Sequence, residues 1–272
     1  MTTIFARALS RTSAFVVVAL SLLLGASAIN TASGQPRKRA QIGKRINELI
    51  GTEMKAWCNA KGVASPPDKV LFRVFKKEQE IEVWAMNEGM DSMENVRSVP
   101  ICSMDFNPGP KLEEDDDKTP EGFYLISRES FGTGSEYYWM WMKLDEANID
   151  DDGIPDEGSC VKICLDYPND VDTARSKVGL GIKKPGYGIC IHGNCITAGC
   201  VSFNNRNMLP VYGFAALHHR RRNEDLQFHI FPFRFSGKDL DSAPIDPYVE
   251  GRLGKQNTRR FWRNLKMGYD LF

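Results

Sequence analysis

Close to its N-terminus the chain carries an uncharged apolar run, Ala14 to Ala26 (AFVVVALSLLLGA), preceded by Arg7 and Arg11 and closed by the small-residue triplet Ala26-Ser27-Ala28. A positive start, a short apolar centre and an A-x-A site are the pattern of a secretory signal peptide. The run is shorter than the roughly 20 apolar residues of a comfortable membrane span, and an uncleaved N-terminal anchor is the alternative reading. Residues 1–28 are read as a leader, with the mature chain starting near Ile29 and working in the periplasm or outside the cell. There is no paired twin-arginine and no cysteine near the cleavage point to suggest lipidation. This one feature constrains the fold more than any other. It places the rest of the chain in an oxidising compartment, where cysteines become covalent links.

Seven cysteines then matter: Cys58, Cys102, Cys160, Cys164, Cys190, Cys195 and Cys200. An odd number leaves at least one thiol unpaired, and such a thiol is a candidate for reactivity. Three bridges and one free thiol is one possible count, and spacing alone leaves the pairs open. Lys and Arg number 35, as do Asp and Glu, and removing the leader takes away only Arg7 and Arg11. The slightly acidic remainder gives no reason to expect a nucleic-acid partner.

Residues 29–65 read as an N-terminal helical segment. Ile42, Ile46, Leu49, Ile50, Met54 and Trp57 fall at helical spacing between Gln35 and Trp57, and Ser65-Pro66-Pro67 ends the pattern. Beyond Pro66 the period changes. Val70–Phe75, Ile81–Ala85, Arg97–Met104, Gly122–Ile126, Tyr137–Leu144, Gly188–His192 and Leu226–Phe235 read as short strands separated by turns. Asn205–Arg222 reads as a helix weakened by Pro210 and Gly213, and Phe261–Leu265 as a short closing helix. Residues 66–272 are thus expected to form one mostly β domain, a sandwich or barrel with peripheral helices.

The chemistry concentrates in Ile191–Phe203, IHGNCITAGCVSF. Cys190, His192, Cys195 and Cys200 could ligate zinc, but structural zinc takes its ligands from two separated knuckles and these all come from one short segment. A Cys190–Cys195 disulfide could coexist with a reactive Cys200, and cysteines acting as small core hydrophobes are the plain reading. The nucleophile reading has the most physical detail. A thiolate is the reactive form and needs a base or cation beside it. His192 ends a strand-like run, and Cys200 follows a turn in which Gly199 lets the backbone approach a carbonyl and present N–H groups to an oxyanion. Gly193, Asn194 and Thr197 are candidates for substrate contact in the same turn.

His192-Gly193 followed by Thr197-Ala198-Gly199-Cys200-Val201 resembles the signature of the L,D-transpeptidases (YkuD domain), and its short His-to-Cys spacing resembles the YafK-like branch. VFKKEQEIEVW (Val74–Trp84), PIC (Pro100–Cys102), GPKL (Gly109–Leu112), TPEGFY (Thr119–Tyr124), IFPFRF (Ile230–Phe235) and FWRNLKMGYDLF (Phe261–Phe272) are similar to blocks of that branch in its order, from about Pro66 to the C-terminus. The resemblance implies a peptidoglycan-acting cysteine acyl transferase. Cys200 would attack a carbonyl of meso-diaminopimelate in a stem peptide, and His192 would serve as general base and then acid. The outcome would be transpeptidation or, as in the YafK-like branch, hydrolysis of the amide between diaminopimelate and a lipoprotein lysine. No cofactor is implied for catalysis. The family often has a histidine and an arginine where this chain has Ala198 and Ser202. A substrate-carboxylate contact would then fall to another cation, with Lys111, Arg128, Arg206 and Arg234 as candidates.

Asn148–Cys160 (NIDDDGIPDEGSC) is an addition to that pattern. Asn148, Asp150, Asp152 and Asp156 stand at positions 1, 3, 5 and 9 of a calcium-type loop with Gly153 at position 6, although Ser159 replaces the usual closing glutamate. They are the candidate structural calcium ligands, against the plainer reading of a solvated acidic turn. Two rivals to an enzyme remain. A catalytically silent wall-binding module would have lost the Cys–His pair, which is present here, and a thiol–disulfide exchange protein would carry C-x-x-C, which is absent.

Overall fold

The computed structural model describes residues 34–127, 130, 162–222, 224–237 and 239–271. The leader, the candidate calcium ligands Asn148, Asp150, Asp152 and Asp156, the expected strand at 137–144, Arg128 and Cys160 lie outside them. The chain divides into two compact units, residues 1–42 and 43–272. Of the first, only residues 34–42 are described, as the opening turns of helix α1 (Gly34–Asn59).

Strands β1 (Lys69–Phe75) and β2 (Glu80–Met86) pair antiparallel, Phe75 opposite Glu80, around a tight turn in which Gln79 takes a φ of 58°. Every residue of β1 after Lys69 is buried, as befits a strand with neighbours on both edges and cover on both faces. β3 (Glu94–Pro100) adds to β2, while β8 (Leu226–Phe231) lies parallel to β1 and β4 (Gly122–Ile126) antiparallel to β8. The sheet order is β3-β2-β1-β8-β4. β8 stops at Phe231, four residues short of the expected end, because Pro232 has no N–H for the ladder. Phe233 and Phe235 turn instead into a cluster with Phe75, Phe231, Trp262 and Leu265.

A second sheet has the order β5-β6-β7, from β5 (Lys162–Cys164), β6 (Cys190–His192) and β7 (Val201–Ser202). The first sheet reaches it where the chain leaves β3. Cys102 N–H donates to Ser202 O at 2.9 Å, and Ser202 N–H to Ser103 O at 2.9 Å.

Between β5 and β6 lies α2 (Asp170–Thr173), capped by Asn169. Helix α3 (Asn205–Arg222) runs unbroken despite Pro210 and Gly213. Met208 through Ala216 are all buried, and burial of that size outweighs local propensity. Gly213 is needed there, since a Cβ would sit 2.3 Å from Ile50 of α1. α4 (Pro247–Leu253), capped by Asp246, leads into α5 (Lys255–Tyr269), which is longer than the expected closing helix and buries Trp262 and Leu265. Two sheets edged by helices make up the expected mostly β architecture. Among the described residues no helix is long and apolar enough to cross a membrane.

Candidate active site

The site is built on β6 and the return from it to β7. The two strands are parallel, with Ile191 opposite Val201 and His192 opposite Ser202. Parallel neighbours usually need a long crossover; here only residues 193–200 make the return. Covalent bonds hold so short a loop. Cys195 is bonded to Cys102, and Cys190 to Cys164, its register partner on β5. The Cys190–Cys195 bridge considered from sequence is therefore not formed. The zinc reading also loses two of its four ligands, since disulfide sulfurs are not thiolates. No cluster of metal-binding side chains occurs among the described residues.

Polar ties fix the loop. Asn205 Oδ1 accepts from Asn194 N–H at 3.0 Å, and Ser202 Oγ donates to Asn194 O at 2.5 Å. Asn194 holds a φ of 67°, and a Cβ on Gly193 would meet Asn205 Oδ1 at 2.2 Å. Gly193 and Asn194 thus sit where close approach and left-handed backbone are demanded. Thr197 is half-buried, with its hydroxyl turned to the Cys200 thiol. Gly199 has a φ of 102°, and a Cβ there would lie 2.6 Å from Lys118 O.

Cys58 and Cys200 are the free thiols among the described residues, and they are opposites. Cys58 is sealed in the core, and burial pushes its thiol up to about 11. Cys200 is half-buried beside β6. Burial alone would raise its pKa too, but a hydrogen bond with His192, the Cys190 N–H at 3.3 Å, the charge of His192 and the Thr197 hydroxyl together hold it below the ordinary thiol value. His192 Nδ1 lies 2.5 Å from Gly193 O. A carbonyl can only accept, so Nδ1 carries the proton and Nε2 is the basic nitrogen. A strand end, a disulfide and a glycine turn thus bring together a thiol biased toward thiolate and an imidazole in the tautomer that can take its proton.

Cys200 opens on a cleft of about 250 Å³ lined also by Ala198, Tyr187, Gly188, Lys111, Asp115 and Asp117. Of the three candidate cations among the described residues, Lys111, Arg206 and Arg234, Lys111 lines this cleft; its Nζ donates to Asp116 Oδ1 at 2.5 Å and Glu113 O at 2.9 Å. Arg234 is paired with Glu80 and Glu82, and Arg206 is exposed at the start of α3.

Sequence reasoning did not single out the buried frame below the cleft. Lys76 is fully buried, with Nζ on Gly109 O at 2.8 Å, Asp105 at 3.1 Å, Thr119 O at 3.2 Å and Glu121 at 3.4 Å. Glu121, also fully buried, accepts from Gly109 N–H at 2.6 Å and Trp262 Nε1 at 2.8 Å. Burial raises its carboxyl pKa, and Lys76 and these bonds pull it back. Lys118 Nζ reaches Asp246 at 2.7 Å, and its carbonyl is the one that faces Gly199. The blocks VFKK, GPKL, TPEG and FWRN thus meet in one network that holds the 105–121 segment against the cysteine turn. A lysine ending an apolar strand was the available signal.

No protein-family model matches the chain. The putative L,D-transpeptidase YafK of Escherichia coli K12 is 25% identical over 204 residues, 75% of this chain and 66% of that protein. Among solved structures, Bd1075 of Bdellovibrio bacteriovorus matches 72% of this chain and 56% of its own at 17% identity and a TM-score of 0.37. The helical cell shape determining protein Pgp2 of Campylobacter jejuni matches 71% and 55% at 17% identity and a TM-score of 0.34. The chain thus spans just under two thirds of its curated relative and little more than half of the solved ones. By its ordered sequence blocks and its match to YafK, the chain is similar to the L,D-transpeptidases, those of the YafK-like branch in particular.

Proposed function

We propose that the protein is an exported cysteine acyl transferase acting on peptidoglycan stem peptides. The thiolate of Cys200 attacks the carbonyl of meso-diaminopimelate, and His192 takes the thiol proton. Backbone N–H groups around Gly199 and Cys200 stabilise the oxyanion. When the tetrahedral intermediate collapses, the amide C–N bond breaks. The amine leaves with the proton from His192, and a thioester to Cys200 remains. Attack by an acceptor amine completes transpeptidation, and attack by water completes hydrolysis. In the hydrolytic course, which the sequence resemblance to the YafK-like branch implies, the bond cut would be the amide joining diaminopimelate to the lysine of an outer-membrane lipoprotein. Neither half calls on a metal or organic cofactor.

The observation that carries this reading is the pairing at Cys200. A free thiol opens on a cleft, and His192 and the Cys190 N–H favour its ionised form. The test is digestion of purified sacculi and lipoprotein-linked muropeptides by the full chain, with products identified by mass. Cys200→Ala should be inactive, and His192→Ala should be slowed roughly 100-fold or more, the scale of a lost general base. Turnover by Cys200→Ala at the rate of the unmodified protein would overturn the cysteine mechanism, and no turnover by the unmodified protein would leave the silent wall-binding reading.

A further inference from the structure

The peptide group between Gly193 and Asn194 is held from both sides. Its carbonyl, Gly193 O, meets His192 Nδ1 at 2.5 Å, and its N–H, on Asn194, donates to Asn205 Oδ1 at 3.0 Å. A side-chain oxygen on α3 is thus joined through one peptide to the histidine beside Cys200. Asn205 is the first residue of α3, and Met208 to Ala216 of that helix are buried, so the oxygen rides on a fixed element. It comes this near only because residue 193 is glycine, since a Cβ there would lie 2.2 Å from it.

The peptide needs holding. Asn194 has a φ of 67°, in the left-handed region that residues other than glycine enter uncommonly. Turning the 193–194 peptide over would return Asn194 to an ordinary φ, and Gly193 would tolerate the change. It would also present an N–H to His192 Nδ1 in place of a carbonyl. Nδ1 would then be the acceptor, the proton would sit on Nε2, and the base of the mechanism above would be lost. Asn205 meets the peptide with its oxygen, which accepts only from an N–H, and so opposes the turn. Hydrogen bonds in a chain also polarise one another, so an acceptor on the N–H strengthens the carbonyl at the other end. The Ser202 hydroxyl holds the next carbonyl, Asn194 O, and not this one.

We propose that Asn205 is the positioning residue of the general base: it fixes the 193–194 peptide and, through Gly193 O, keeps the His192 proton on Nδ1. The inference rests on the Cys200–His192 chemistry proposed above. Cys200 is hydrogen-bonded to the His192 ring, and the exposed Lys162 stands opposite His192 on β5. Substitutions at Asn205 leave both in place, so a changed titration reports the link through the peptide.

The first measurements need no substrate, so they decide this inference even where turnover of muropeptides fails. Long-range proton–nitrogen spectra of the full chain labelled with nitrogen-15 are recorded where the His192 ring is neutral, its signal being the one lost in His192→Ala. The unmodified protein should carry the proton on Nδ1. In Asn205→Leu, of similar bulk but with no acceptor, a share of the ring should carry it on Nε2, and the pH midpoint of Cys200 alkylation should rise toward that of His192→Ala. Asn205→Asp keeps an acceptor and cannot donate, so it should restore both. On muropeptides the kcat of Asn205→Leu should fall roughly 10- to 100-fold, part of the roughly 100- to 10,000-fold that a positioned general base supplies. KM should change little, since no substrate contact is lost. Asn205→Ala removes the acceptor without added bulk and takes the same measurements should Asn205→Leu fail to fold. A proton on Nε2 in the unmodified protein, an unchanged tautomer and alkylation profile in the variant without an acceptor, or an Asn205→Asp protein no better than that variant would each overturn the inference.

Discussion

Replacing Gly199 by alanine separates the geometry of the cysteine turn from its chemistry, because no reacting group is removed. Two costs follow from the structure. A φ of 102° is a conformation that L side chains rarely adopt, worth about 1–3 kcal/mol. The new Cβ would also stand 2.6 Å from Lys118 O. Overpacking of that kind adds about 1–3 kcal/mol if nothing moves. Lys118 O cannot easily retreat, since its segment is tied down through Lys76, Glu121 and Asp246. The turn must move instead, by something under 1 Å, and misplacement on that scale costs roughly 100-fold in rate. Gly237→Ala is the control, because Gly237 has a φ of 66° and open space around it. It should lose stability alone. The assays are thermal unfolding and turnover of muropeptides. Gly199→Ala is expected to melt several degrees lower, at about 2–4 °C per kcal/mol for a domain of this size, and to lose most activity even well below its melting temperature. If it melts and turns over like the unmodified protein, the account of the turn is wrong.

Native alkylation should label Cys200 and spare Cys58, whose buried thiol is pushed to about 11; a Cys160→Ser background keeps that cysteine out of the reading. Because the folded pKa of Cys200 is lowered, its alkylation rate should reach half-maximum below the ordinary thiol value of about 8.5. The midpoint should rise in His192→Ala, and the same pH profile in both proteins would remove His192 as the partner. Glu121→Ala leaves the Gly109 N–H and Trp262 Nε1 without their buried acceptor, while Lys76 keeps Asp105 and two carbonyls, so urea unfolding should show a loss of about 1–3 kcal/mol for each orphaned donor; a change near zero would mean that the network contributes no stability. If Asn148, Asp150, Asp152 and Asp156 hold calcium, millimolar calcium should raise the melting temperature more than magnesium does, and Asp150→Asn with Asp152→Asn should abolish the rise. Equal melting in calcium and in chelator would make the loop a solvated turn.

Elements whose pattern is local were legible in the sequence. Gly122–Ile126 and Asn205–Arg222 are found at their expected bounds, and β1 and β2 within a residue or so, because alternation and helical spacing record a buried face directly. The short pieces were not. β5 and β7 have three and two residues, too few for a period, and they exist because β6 and the Cys164–Cys190 bond hold them in register. α4 was missed although Asp246-Pro247 is a cap followed by proline at the first helical position, a readable start signal. His192 and Cys200 could be named from their spacing and from the family resemblance. Their ties to the Cys190 N–H and Gly193 O could not, since these depend on the conformation of the turn, and the contact with the 105–121 segment joins residues far apart in sequence. The disulfide partners were likewise open until the sheet register placed Cys164 opposite Cys190.

The central claim is that Cys200 carries the acyl group, and intact-protein mass spectrometry tests it most directly. The full chain is incubated briefly with a diaminopimelate-containing muropeptide, quenched in acid and mapped by proteolysis. The account predicts an added mass equal to the acyl donor less its leaving amine, located on Cys200, released by hydroxylamine as a thioester should be, and absent from Cys200→Ala. An adduct on another residue, or product formed by Cys200→Ala at an undiminished rate, would contradict it.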